Sequence, residues 1–204
     1  MPASAYEDFR FKIVAVTFMT DFADQAVLLP LALVIGLLLA VMGWRRGALA
    51  WCVGVGGTLM TMLGLKLVFA ACTMATADAA LRSPSGHAAA AAAIYGGLFG
   101  LLARRGWRGA LAGGIGVATL IGLTRVWLDA HTPAESLLGG MVGSAGAVAL
   151  VLMAGDPPGD LRPARLIAAT LAVAILAHGA HLRAEPHIRD FGQRFAWLVP
   201  LCSD

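Results

Sequence analysis

Six long apolar runs constrain this chain more than any other feature. They lie at about 25–43, 48–71, 87–103, 109–128, 135–154 and 164–182, and each is bounded by charge, glycine or proline. A helix needs about 20 apolar residues to cross the hydrocarbon core. It also satisfies its own backbone hydrogen bonds there, which an isolated strand does not. The sequence therefore predicts an all-α polytopic membrane protein with six transmembrane helices in a compact bundle. Charged residues make up only 13% of the chain, against about 25% in soluble domains. The net charge of +3 is small. The basic residues cluster between apolar runs, so they report topology, and the expected partner is the lipid bilayer with no nucleic acid. The chain reads as one domain over 1–204. Within it, 1–24 is an interfacial segment, 25–183 the six-span bundle and 184–204 a C-terminal tail.

Residues 5–24 place Phe9, Ile13 and Val16 at helical spacing among Glu7, Asp8, Arg10 and Lys12. That pattern suggests an amphipathic helix lying in the membrane interface, or an extra turn feeding the first span. Glu7 and Asp8 before the first apolar run do not fit a cleavable signal. Glycine-rich runs at 54–57, 113–116 and 139–146 suggest close helix packing. Arg45, Arg46, Arg104, Arg105, Arg108, Arg162 and Arg165 fall on one side of the topology, with Asp156 and Asp160. The positive-inside rule puts that side in the cytoplasm and both termini outside. The localisation expected is a bacterial inner (cytoplasmic) membrane. Cys52 reads as a small buried hydrophobe, and Cys72 and Cys202 fall on one side, where a disulfide is conceivable.

Two polar stretches interrupt this pattern on the outer side. The first is Arg82-Ser83-Pro84-Ser85-Gly86-His87, which runs straight into an alanine-rich helix. Ser85 suits an N-cap, and Gly86 allows close approach to the backbone. Free N–H groups and the helix dipole favour an anion there, though Ser-Gly before a helix is as often a simple cap. The second stretch runs from Thr124 to Glu135 through Arg125, Asp129, His131, Thr132 and Pro133. An arginine at the end of a lipid-embedded helix is costly and has either a structural or a functional reason. His131 and Glu135 are four apart, so a helix would place them on one face. Thr132-Pro133-Ala134-Glu135 is equally a capping box. Lys66 either serves the same site or snorkels to the interface. Asp129 reads as a solvated loop acid. His178 and His181 have zinc-compatible spacing but read as interfacial histidines.

Together, Pro84-Ser85-Gly86-His87 and the Arg125, His131, Glu135 spacing resemble two signature motifs of the type 2 phosphatidic acid phosphatase superfamily. The family's first motif, a lysine followed after six residues by Arg-Pro, is altered: Lys66 is followed by Thr73 and Met74. The usual aspartate of the third motif is Glu135, and its usual Ser-Arg is Thr124-Arg125. The resemblance implies a metal-independent phosphatase with no cofactor, acting on a membrane lipid phosphate. It assigns His131 as nucleophile, Glu135 as its orienting acid and His87 as general acid. Lys66, Arg82, Ser85, Gly86 and Arg125 would hold the phosphate, with Arg82 replacing the missing cation. Undecaprenyl diphosphate, phosphatidylglycerol phosphate, phosphatidic acid and lipid A phosphate are candidate substrates. A lipid phosphotransferase sharing the phosphohistidine, and a non-catalytic phospholipid carrier or scaffold, are the alternatives.

Overall fold

In a computed structural model, residues 3–72, 83–103, 105–182 and 184–194 are described. They form eight helices, and the described residues contain no strand. In chain order these are α1 (Ala3–Asp21), α2 (Gln25–Val41), α3 (Arg45–Cys72), α4 (Gly86–Leu102), α5 (Gly106–Trp127), α6 (Pro133–Ala154), α7 (Pro163–Ala177) and α8 (Ala184–Arg194). Helices α2 to α7 coincide with the six apolar runs. Among the described residues, four stretches are long and apolar enough to cross a membrane: Arg10–Val41, Arg45–Ala71, Gly106–Trp127 and Pro133–Ala154. Helices α4 and α7 are shorter, with 17 and 15 residues, or about 26 and 23 Å at 1.5 Å per residue.

Helix α4 is the centre of the bundle. It packs against α5 and α6 and also touches α2 and α3. All but four of its 17 residues are buried, because alanine and glycine leave room for helices on every side. At Gly96 an added Cβ would lie 2.7 Å from the backbone of Gly114 on α5. At Gly139 on α6 it would lie 2.2 Å from the carbonyl oxygen of Ser85, where α6 crosses the start of α4. Small residues at such crossings let helices meet in lipid without side chains between them. The outer faces carry large apolar side chains in the open, such as Val41 at 83% and Leu176 at 85% exposure. Water-soluble monomers rarely expose contiguous apolar patches of this kind. The protein is a multi-pass membrane protein.

Three polar ties fix neighbouring helices. The indole Nε1 of Trp51 on α3 donates to the carbonyl of Ala32 on α2 at 2.8 Å. The hydroxyl of Tyr95 on α4 donates to the carbonyl of Phe22 at 2.8 Å. Arg46 Nε donates to the carbonyl of Met153, tying the start of α3 to the end of α6 at the opposite end of the bundle.

Several sequence expectations change. The sixth run ends early, because Gly179 takes a positive φ of 80° that closes the last turn of α7 after the C-cap His178. Cys52 is exposed on α3 rather than buried. The N-terminal segment is helical; its exposed Phe11, Val14 and Phe18 fall at i, i+3 and i+7, with Ile13 on the opposite side, and its later part runs into the apolar stretch Arg10–Val41. Arg82, and with it the suggested replacement cation, lies outside the described residues, as do Cys202 and the side chain of Cys72.

Candidate functional site

One end of the bundle gathers the polar residues. The capping pattern and the His–Glu pair compete for Glu135 in the sequence, and in the structure one side chain does both. Thr132 caps α6, its hydroxyl accepting from Glu135 N at 3.2 Å, while Glu135 Oε2 accepts from Thr132 N at 3.0 Å. The same Oε2 lies 3.1 Å from His131 Nδ1. The helix starts at Pro133, so His131 stands just before the cap and not on a helical face. The second oxygen, Oε1, accepts from Ser83 N at 2.9 Å, and the carbonyl of Glu135 accepts from Ser85 N at 3.0 Å. Glu135, only 4% exposed, therefore staples the two polar stretches together.

The five-residue gap between Arg125 and His131 has a backbone cause. Asp129 takes a left-handed φ of 51°, a conformation aspartate tolerates better than most residues. The turn it makes lets Ala130 N and His131 N both donate to the carbonyl of Arg125, at 3.0 and 3.3 Å. His131 is thereby folded back beside Arg125. Asp129 itself is exposed. Arg125 Nε is buried with no hydrogen-bond partner among the described residues, so a donor is left for an incoming acceptor.

Burial pushes the pKa of His131 below its ordinary value. The hydrogen bond that Nδ1 donates to the Glu135 carboxylate opposes this, and the charges of Lys66 and Arg125 reinforce it. The imidazole is thus held neutral near pH 7, with Nδ1 tied to the carboxylate and Nε2 left over.

At the start of α4, Ser85 is fully buried, and its hydroxyl lies 3.4 Å from Ala88 N as the helix cap. Gly86 gives the adjacent backbone no Cβ, and Lys66 fills that space, with its Cε 3.2 Å from where a Cβ would stand. Lys66 does not reach outward to the interface. It is 5% exposed and donates to Ser83 Oγ at 3.2 Å and to the carboxylate of Glu185. His87 Nε2 faces Asp24 Oδ2 at 3.7 Å.

Three of these partners escaped the sequence reading. Asp24 caps α2 through Ala26 N at 2.8 Å and also accepts from Leu182 N at 3.0 Å. Ser83 accepts from Lys66 through its hydroxyl, a contact the sequence reading gave no role. Glu185, on the tail helix α8, accepts from Ser83 Oγ at 2.6 Å. Each is joined to its partner across a long stretch of sequence. The only local signals were an aspartate ahead of an apolar run and a serine beside the Pro-Ser-Gly-His block. The histidines near the end of α7 diverge. His178 packs on Phe18 and Phe22, while His181 faces Asp21 and Asp24 at 3.8 and 3.6 Å. No group of three histidine, cysteine or acidic residues able to hold a metal occurs among the described residues.

The arrangement brings Lys66, Gly86, His87, Arg125, His131 and Glu135 to one end of the bundle, with Ser85 as the cap beneath them. It offers cations, a neutral imidazole oriented by a carboxylate and a second imidazole facing an acid. No curated protein and no solved structure matches the chain. The profile of the PAP2 superfamily matches residues 48–157, from the start of α3 to just past α6, and so spans the helices that carry these groups. The chain belongs to the PAP2 superfamily.

Proposed function

We propose that this protein is a lipid phosphatase that removes a terminal phosphate, as a monoester or a diphosphate, through a phosphohistidine on His131. One observation carries the reading: His131 is tied to Glu135 at 3.1 Å while its backbone folds back onto Arg125. A carboxylate on Nδ1 selects the tautomer whose Nε2 lone pair is free to attack. Lys66 and Arg125 supply positive charge where negative charge builds up on phosphoryl oxygens.

The chemistry balances as two displacements. Nε2 of His131 forms a bond to phosphorus as the bond to the lipid oxygen breaks. That oxygen takes a proton from His87, whose Nε2 faces Asp24 Oδ2 at 3.7 Å. Water then attacks the phosphohistidine, gives its proton to His87 and releases inorganic phosphate. Side-chain cations provide the electrostatic stabilisation, so the scheme needs no metal. Six spans are the topology that fits, with α4 and α7 as short central and peripheral crossings. The arginine-rich end then faces the cytoplasm, and the site faces the periplasm or exterior of an inner membrane.

The test is phosphate release from a lipid phosphate by detergent-purified protein in EDTA. His131→Ala and His87→Ala should each reduce it to background, and vanadate should inhibit. Wild-type rates in either variant would sink the mechanism. A panel of phosphatidic acid, phosphatidylglycerol phosphate, lipid A phosphate and undecaprenyl diphosphate identifies the lipid.

A further inference from the structure

Glu185 stands where an acid is least expected. Its carboxylate accepts from the Lys66 ammonium and, at 2.6 Å, from the Ser83 hydroxyl. It also lies close enough to Arg125 and His131 to attract both. Lys66, Arg125 and His131 are the groups that the proposed function sets against the substrate phosphate, and Ser83 stands beside Lys66. Nothing in the fold of α8 alone requires this contact. The helix is seated by Gly192, where an added Cβ would lie 2.7 Å from Ala70 Cβ on α3. Glu185, two turns earlier, reaches inward from that seat.

Burial would raise the pKa of Glu185, but the hydrogen bonds from Lys66 and Ser83 outweigh it and hold the group below its usual value. Its charge is therefore present above the ordinary carboxylate range and is lost only as pH falls below it. Acidification within an enzyme's working range does not empty the site.

We propose that Glu185 is a specificity-determining residue: its carboxylate occupies the anion subsite of Lys66 and Ser83 until a terminal phosphate displaces it. The inference rests on the phosphatase reading and adds a selection step to it. A bilayer surface is crowded with phosphodiester headgroups, each carrying one negative charge. A terminal phosphate carries about 1.5 to 2 near pH 7 and three free oxygens. An internal carboxylate competes on nearly equal terms with the first and loses to the second. Exclusion of the abundant diesters thus comes from a competitor built into the chain.

The experiment uses the full chain in detergent, with Glu185→Gln, Glu185→Ala and the control Asp190→Asn. Asp190 lies on the same helix, exposed and paired with Arg194 at 2.9 Å. Two quantities are read: binding of inorganic phosphate by calorimetry, and inhibition of lipid-phosphate hydrolysis by a short-chain phosphodiester lipid. Both Glu185 variants should bind inorganic phosphate about 10-fold more tightly, equivalent to about 1.4 kcal/mol. Both should also become sensitive to diester concentrations that leave the wild type untouched, while Asp190→Asn behaves as wild type. Thermal unfolding with and without phosphate guards against a folding defect, because a destabilised but folded variant should gain more from added phosphate than the wild type does. Unchanged or weaker phosphate binding in both variants would overturn the proposal and leave Glu185 as a charge partner for Lys66. If no lipid phosphate is hydrolysed by the wild type, the phosphatase reading fails, and the calorimetry still decides whether the carboxylate competes for the anion.

Discussion

At the scale of single residues, Glu135 ties together more than any other side chain. It caps a helix, orients an imidazole and holds the backbone of Ser83 at the same time. His131 is pushed toward neutrality chiefly by burial, so the acid limb of kcat/KM should fall below the ordinary histidine value of about 6.5. Glu135 opposes that push. Glu135→Gln should move the limb to still lower pH while reducing kcat by about 10²- to 10⁴-fold through loss of the correct tautomer. Rate-against-pH curves of the two proteins decide it. Asp24→Asn keeps a side chain able to cap α2 but removes the charge facing His87. It should lower kcat about 10-fold with the fold retained, whereas Asp24→Ala should also cost about 1 kcal/mol of stability. Steady-state kinetics beside thermal melts separates the two effects. Most of the site was legible because Arg125, His131 and Glu135 are neighbours in sequence. Asp24 and Glu185 were not, because nothing local distinguishes a cap or a tail acid from one that reaches partners far along the chain, such as His87 or Lys66.

At the scale of elements, the registry of α4 against α6 decides whether the two polar stretches meet. Gly139 is the crossing point. A methyl group there would press on the Ser85 carbonyl at 2.2 Å, an unyielding backbone atom. Gly139→Ala should therefore separate His87 from His131 and abolish hydrolysis, with a loss of about 1–3 kcal/mol by overpacking. Gly116, whose Cβ would meet open space, should accept alanine with full activity. Activity and melting temperature of the pair test the registry directly. Helix positions were readable from apolar runs, since length and lack of charge are one-dimensional signals. The start of α6 was also readable, because Thr132 and Pro133 mark it chemically. The tail was not. Residues 184–194 are polar and carry a proline, and only their packing on α3 turns them into a wall of the site.

At the scale of the whole molecule, the bundle is inside-out in composition. Its central helix α4 is built mostly of the smallest side chains, and many large apolar side chains face outward, although Trp51, Leu28 and Ile35 are buried in the core. Helix α4 therefore has little volume to lose, and the ties between helices matter correspondingly more. Trp51→Phe, which removes the bond to the Ala32 carbonyl, should lower stability by about 0.5–1.5 kcal/mol without touching kcat. Melting in a mild detergent reads it. The burial of α4 along nearly its whole length carries a consequence for genetics. Saturation mutagenesis should show a band of intolerance over 88–101 as deep as that at His87 or His131, although no residue in the band takes part in chemistry. A map of lost function would then mark the centre of the bundle as essential. Only expression level, which should fall for the alanine band and hold for the histidines, would tell a packing defect from a catalytic one.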